Sequence, residues 1–269
     1  MLFLILARGS LSTAEEPRYG GILNRDLGPS DIPTLDPAYI TDTTSSEVAR
    51  QIYDGLVEYD LDGNVIPAIA KSWEISKSGL TWTFHLRDDV YFHEAYGDGT
   101  PTKNGGRKVT AYDFEWSWKR IIDPATASPR ANFYASIDKF EAVDDLTFKV
   151  ILKYPFAPFK SLIAYSCFYV LPKEDVEAWR EDFASHPVGT GAFKFKEWRH
   201  NEYLDLVANE KYFLGRPYLD GVHITVTSDE DVRFLNLKMG DLDYDLIPDP
   251  HWDEVRNNTN FQDLIVSRP

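Results

Sequence analysis

Residues 80–124 read LTWTFHLRDDVYFHEAYGDGTPTKNGGRKVTAYDFEWSWKRIIDP. The stretch opens on strict alternation, with Trp82, Phe84 and Leu86 on one side and Thr81, Thr83 and His85 on the other. That period predicts a half-buried strand. Arg87, Asp88 and Asp89 make a polar corner, and Val90, Tyr91 and Phe92 form a second apolar run. Residues 94–108 carry Gly97, Gly99, Gly105 and Gly106 and read as a flexible surface insertion. Thr110 and Asp113 have the spacing of a capping-box variant. Phe114, Trp118 and Ile121 or Ile122 then share one helical face, and Asp123-Pro124 stops the helix.

Working outward, residues 20–25 predict a first strand. The proline-rich segment 27–37 cannot be helical. A helix starts within 43–46, with Val48, Ile52 and Leu56 spaced four apart. Residues 66–73 predict a short helix, 143–152 a hairpin, 156–164 a helix despite Pro158, and 173–183 an amphipathic helix. Val188-Gly189-Thr190-Gly191 is a tight turn into a strand at 192–198. Strands follow at 203–208 and 222–227, then a helix over 228–238 closed by Gly240. Strands and helices mix without strict alternation, which predicts an α/β (mixed α+β) chain with mixed sheets.

The 269 residues are 43% hydrophobic, enough to bury a core for one or two domains. A net charge of -15 repels phosphate backbones and anionic lipid, so no nucleic-acid partner is expected. The single cysteine, Cys167, lies in an apolar run and reads as a small buried hydrophobe. Residues 1–14 read as the truncated remnant of a signal peptide, with Ser12-Thr13-Ala14 suited to cleavage.

Catalytic and metal motifs fail on their spacing. His93-Glu94 has Gly97 where a zinc-protease helix needs its second histidine. Asp241, Asp243 and Asp245 begin like a calcium loop, but Leu246 and Trp252 stand where Gly and Glu are required. Gly189-Thr190-Gly191 lacks the Lys-Ser/Thr of a phosphate loop. No cofactor or metal is expected. Carboxylates are too numerous to single out a pair, so a carboxylate-based hydrolase stays open as an alternative.

The words Trp-Thr-Phe-His-Leu-Arg (82–87 with its preceding Thr81), Val-Tyr-Phe-His (90–93), Val-Thr-Ala-Tyr-Asp-Phe (109–114) and Lys-Arg-Ile-Ile-Asp-Pro (119–124) come in a fixed order. In that order they resemble the extracellular solute-binding proteins of family 5, the peptide and oligopeptide receptors of ABC transporters. Leu35-Asp36-Pro37, Tyr53-Asp54-Gly55-Leu56, Pro187–Phe193, Asn209–Phe213 and Lys238–Asp243 extend the resemblance along the chain.

The resemblance implies a type II periplasmic-binding-protein-like fold and a two-lobed architecture. Residues 15–53 plus 173–269 would form lobe I, 54–172 an inserted small domain, and the second ligand-binding lobe would lie beyond Pro269. It further implies a monomeric periplasmic or extracellular, cell-envelope-associated receptor. Such a receptor is not an enzyme; it grips an extended peptide by its main chain and delivers it to ABC transporter permease subunits. Carried over by position, the ligand-binding residues are Thr41, Asp42 and Thr43, then Leu246, Ile247 and Pro248, and Arg130, which could pair with a ligand carboxylate. Thr43 suits a helix N-cap before Glu47 equally well, and Arg130 a solvated surface. The family also includes receptors for nickel, sugars and opines, so the ligand class stays open at this point.

Overall fold

The structure is a computed structural model, and it describes residues 2–5, 17–258 and 265–267. In chain order the first elements are β1 (Leu2–Ile5), β2 (Ile22–Asp26), α1 (Thr43–Ile52), β3 (Val57–Tyr59), β4 (Val65–Pro67), β5 (Ala70–Ile75), β6 (Thr81–Leu86) and α2 (Ala111–Ile122). Next come β7 (Ile137–Asp144), β8 (Thr147–Leu152), α3 (Phe159–Leu162), α4 (Lys173–Trp179), β9 (Phe193–Arg199) and β10 (Tyr203–Ala208). The last are β11 (Gly221–Thr225), α5 (Glu230–Met239), β12 (Tyr244–Leu246), α6 (Trp252–Asn257) and β13 (Ile265–Ser267). The fold is mixed α/β. Residues 1–32, 196–208 and 217–269 make one compact unit, and 33–195 with 209–216 make the other.

The larger unit is built on residues 80–124. β6 lies inside an antiparallel sheet of order β5-β6-β8-β7, with Trp82 opposite Val150 and Phe84 opposite Phe148. Its alternation places Trp82, Phe84 and Leu86 in the core. α2 covers this face with Phe114, Trp118 and Ile121. Trp118 is fully buried, and its ring meets Tyr134, Phe140, Phe148 and Phe168 edge-on at 4.9–5.6 Å. Its indole N–H donates to the Phe168 carbonyl at 3.1 Å, so the ring is buried without an orphan donor. At the helix start, Asp113 Oδ2 accepts the Thr110 backbone N–H at 2.8 Å, the returning half of a capping box.

Four expectations for this unit are corrected. Residues 66–73 are two strand segments joined by a bend at 68–69, not a helix. The hairpin of β3 and β4 turns at Gly63, and β5 pairs with β6, so these amides bond to neighbouring chain rather than to the preceding turn. Apolar residues at helical intervals, Ile66, Ile69 and Trp73, mimicked a helix face. α1 ends at Ile52, and Leu56 is buried beyond it. The helix over 156–164 shrinks to α3. α4 stops at Trp179, and 3₁₀ turns carry the chain from Arg180 to Ser185.

The fifth correction concerns residues 94–108, which are pinned rather than a free surface excursion. Thr102 and Asn104 are buried. The buried Asp175 carboxylate of α4 accepts the backbone N–H groups of Lys103 (2.8 Å) and Asn104 (3.0 Å) and the Asn104 side-chain amide (2.6 Å).

In the smaller unit the sheet runs β13-β1-β12-β2-β11-β10-β9, with β2 parallel to β11 and β12. Gly240, at φ 82°, ends α5 in the left-handed conformation that glycine adopts without strain. The buried Arg233 of α5 bonds Asp245 of β12 at 3.1 Å and lies 3.9 Å from Asp26 of β2. Of the expected leader, residues 2–5 form β1; residues 1 and 6–14, with the expected cleavage site, lie outside the described residues. Among the described residues no helix is long and apolar enough to cross a membrane.

Candidate functional site

α1 begins at the first set of expected ligand residues. Asp42, not Thr43, is the N-cap: its backbone is extended, and its Oδ1 accepts the Ser45 N–H at 2.7 Å. Its other oxygen is buried with no hydrogen-bond partner. Thr43 is the first helical residue and is exposed. Among the described residues, the backbone N–H and C=O of the exposed Thr41 make no hydrogen bond within the chain.

Helical periodicity turns Thr43, Ser46, Glu47 and Arg50 to one side of α1, while Val48, Ala49 and Ile52 enter the core. These four residues form one wall of a cleft of about 370 Å³. Tyr59 of β3 and Tyr165, Ser166 and Tyr169 form the other. Tyr165 is 50% exposed and meets Phe133 edge-on at 5.6 Å. The guanidinium of Arg130 lies over the opposite partner in this stack, 4.9 Å from the Phe133 ring centre.

Arg130 is brought here by two bonds to the segment before α1. Ser128 Oγ donates to the Ala38 carbonyl, and Arg130 Nε donates to the Ile40 carbonyl at 2.8 Å. The Nη nitrogens of Arg130 find no acceptor among the described residues. Arg130 therefore lies beside Thr41–Thr43, as a half-buried cation with one edge open.

Leu246, Ile247 and Pro248 belong to the other unit. Leu246 ends β12, and its N–H donates to Asp245 Oδ1 at 2.7 Å. Ile247 packs on Phe234, Leu237, Leu242 and Val255, and Pro248 is buried at the start of a 3₁₀ turn. Burial raises the Asp245 carboxyl above its ordinary value, opposed by Arg233.

Behind α1 the structure contains a polar knot that sequence reading passed over. Asp54 accepts Thr190 Oγ1 at 2.6 Å and the Tyr212 hydroxyl at 3.2 Å. Burial pushes its carboxyl up to about 7, with Glu58 adding to the rise and the two hydroxyls opposing it. Gly191 N–H donates to the Ile52 carbonyl at 2.8 Å. A Cβ on Gly189 would fall 2.1 Å from that same oxygen, and one on Gly191 2.4 Å from the Gln51 carbonyl. His93 Nε2 and Asn209 Nδ2 each meet the Gly191 carbonyl at 2.9 Å. Burial lowers His93 to about 4, so the neutral ring donates to that carbonyl. Gly189-Thr190-Gly191 is thus the place where the turn clamps the end of α1. The signal available in sequence was the pair of glycines flanking a threonine; nothing local pointed to Asp54.

Cys167 is buried, and burial pushes its thiol up to about 12, as expected of a packing residue. Among the described residues, no group of His, Cys, Asp and Glu could hold a metal ion.

The family model for bacterial extracellular solute-binding proteins, family 5 Middle, matches residues 64–269. The periplasmic oligopeptide-binding protein OppA of Salmonella typhimurium is 34% identical over 203 residues, covering 68% of this chain and 35% of OppA. The glutathione-binding protein GsiB of Pectobacterium atrosepticum is 32% identical over 216 residues, covering 80% of this chain and 40% of GsiB. Among solved structures, the periplasmic binding protein DppA from Helicobacter pylori, in complex with the peptide STSA, superposes with a TM-score of 0.80 at 30% identity. That match covers 91% of this chain and 50% of DppA. The chain thus spans half or less of these relatives' length. With the family model covering most of its residues, the chain belongs to family 5 of the bacterial extracellular solute-binding proteins.

Proposed function

We propose that this chain forms part of a receptor that captures extended peptides outside the cell membrane and hands them to the permease of an ABC importer. The supporting observation is the meeting, at the start of α1, of three complementary features. The backbone of Thr41 is open, as an added strand requires. The guanidinium of Arg130 has a free edge that fits a carboxylate. Tyr165, which lines the cleft with Thr43, presents half of its ring to solvent. Leu246, Ile247 and Pro248, in the smaller unit, are proposed as further ligand contacts on the strength of their family positions alone. Because Pro248 lacks an N–H, its contact uses a carbonyl.

In this reading lobe I comprises residues 15–53 and 173–269, the insert comprises 54–172, and a second lobe closes over the ligand. The receptor works as a monomer in the periplasm or at the cell surface, and the peptide is released intact. The test is calorimetric titration with tri- and tetrapeptides, followed by recovery of the peptide. Saturable binding with unchanged peptide, weakened by Arg130→Ala, is expected. Cleaved peptide would favour the carboxylate-based hydrolase instead, and no binding by any peptide would overturn the reading.

A further inference from the structure

A second cleft, of about 580 Å³, shares no lining residue with the first. Its volume falls within the range typical of small-molecule sites. On one side it is closed by a neutralised floor: Arg120 grips Asp36 through two bonds, at 2.8 and 2.5 Å. Tyr39 and Thr126 form a wall tied together by the Tyr39 hydroxyl, which donates to the Thr126 carbonyl at 2.9 Å. The exposed Arg180 and Glu181, immediately after α4, also line the cleft.

Arg180 has φ 51° and ψ −117°. A side chain with a Cβ is strained in that region, and glycine is not. Within the chain the strain has no compensation from the side chain. The Arg180 backbone N–H caps α4 by donating to the Val176 carbonyl, which a glycine would do equally well. The guanidinium has no hydrogen bond, ion pair or ring contact among the described residues, and neither does the Glu181 carboxylate. A charged side chain carried on strained backbone with no internal partner is best accounted for by an external one.

The cleft therefore offers one unpaired cation and one unpaired anion on adjacent residues, over a floor whose own charges cancel. We propose that this second cleft binds a small zwitterion of amino-acid size, its carboxylate on Arg180 and its ammonium on Glu181. A second negative charge on the ligand would meet the unpaired Glu181, which disfavours dicarboxylates and phosphates.

The test titrates the whole chain with the twenty standard L-amino acids at millimolar concentrations, following backbone amide shifts. At least one amino acid is expected to saturate, with shifts in residues 176–184 and 34–39. Arg180→Gly should weaken that binding at least tenfold while melting no lower than the parent, because glycine relieves the strain. Arg180→Lys should weaken it less than Arg180→Gly, and Glu181→Gln should weaken it several-fold. Failure of every amino acid to saturate would overturn the proposal. So would binding that survives Arg180→Gly, or shifts confined to residues 41–46, which would place the amino acid in the first cleft. The peptide reading rests on Thr41–Thr43, Arg130 and Tyr165, none of which lines the second cleft, so the two can fail separately.

Discussion

Arg130 Nε donates to the Ile40 carbonyl at 2.8 Å, which fixes its guanidinium beside the start of α1 while leaving its Nη edge open. An exposed arginine would wander and contribute little; this one is half-buried over Phe133 and pre-oriented. Peptides with a carboxylate placed over Arg130 should bind more tightly than their amide counterparts. A charged hydrogen bond of this kind contributes about 1.5–3 kcal/mol, so Arg130→Ala should cost the acidic ligand roughly 10- to 100-fold and the neutral one much less. Isothermal titration of matched acidic and amidated peptides checks this. Equal losses for both would show that Arg130 only supports the Ile40 segment.

The knot behind α1 sets a pH signature. Folded Asp54 holds its proton up to about pH 7, against an ordinary value of 3.8. Its contribution to stability is therefore full below pH 4 and drains away as pH rises towards 7. His93 behaves oppositely: lowered from 6.5 to about 4, it contributes fully above pH 6.5 and loses that contribution as pH falls towards 4. The two slopes offset each other between pH 4 and 6.5. Asp54→Asn removes one of them, so the variant should lose stability steadily on acidification through that window, by ~1.4 kcal/mol at most per pKa unit of the His93 shift. Urea midpoints from pH 4 to 8 check it; an unchanged profile in the variant would contradict the assignment.

Asp175 should be a strong stability position despite lying far in sequence from the loop it holds. Asp175→Ala strands three donors, those of Lys103 N, Asn104 N and Asn104 Nδ2. Each buried donor left unpaired costs about 1–3 kcal/mol, and the loop 94–108 should become the first site of proteolysis. Limited trypsin digestion, read by mass at Lys103 and Arg107, checks this.

Gly191→Ala should be among the most damaging single-methyl changes in the chain. The added carbon would meet the Gln51 and Ile52 backbone at 2.4–2.8 Å, and backbone cannot step aside as a side-chain tip can. A fall in melting temperature of several degrees is expected, matching the loss of a few kcal/mol. Gly63→Ala is the comparison: its Cβ meets nothing within 4 Å, and only its positive φ resists the change.

Much of the fold was legible because strong local signals agree with the tertiary outcome. The alternation of Trp82, Phe84 and Leu86, the Thr110/Asp113 start of α2 and the Gly240 stop of α5 all appear where their chemistry puts them. The misread segments are those where tertiary pairing overrides local pattern. Residues 66–73 carry apolar side chains at helical intervals, yet their amides donate to the Gly55 and Leu56 carbonyls and to β6. The loop 94–108 looks unanchored because its anchor, Asp175, lies 71–72 positions away. For the candidate site, the family words pointed to Thr41–Thr43 and Arg130, which the structure brings side by side. They could not reveal that Arg130 leans on Ile40 or that Asp54 is held by Thr190 and Tyr212, since each depends on a long-range contact; the Asp42 cap is a local bond to Ser45 that the Asp-Thr-Thr-Ser run left open among its neighbours.

The central claim is that a peptide lies along Thr41–Thr43 beside Arg130. The most direct measurement is a backbone amide NMR titration of the chain with a short unlabelled peptide. Shifts are expected at Thr41, Asp42, Thr43 and Ser46 and at Tyr165, saturating together and weakened by Arg130→Ala. Shifts absent from these residues, or a titration indifferent to Arg130, would contradict it.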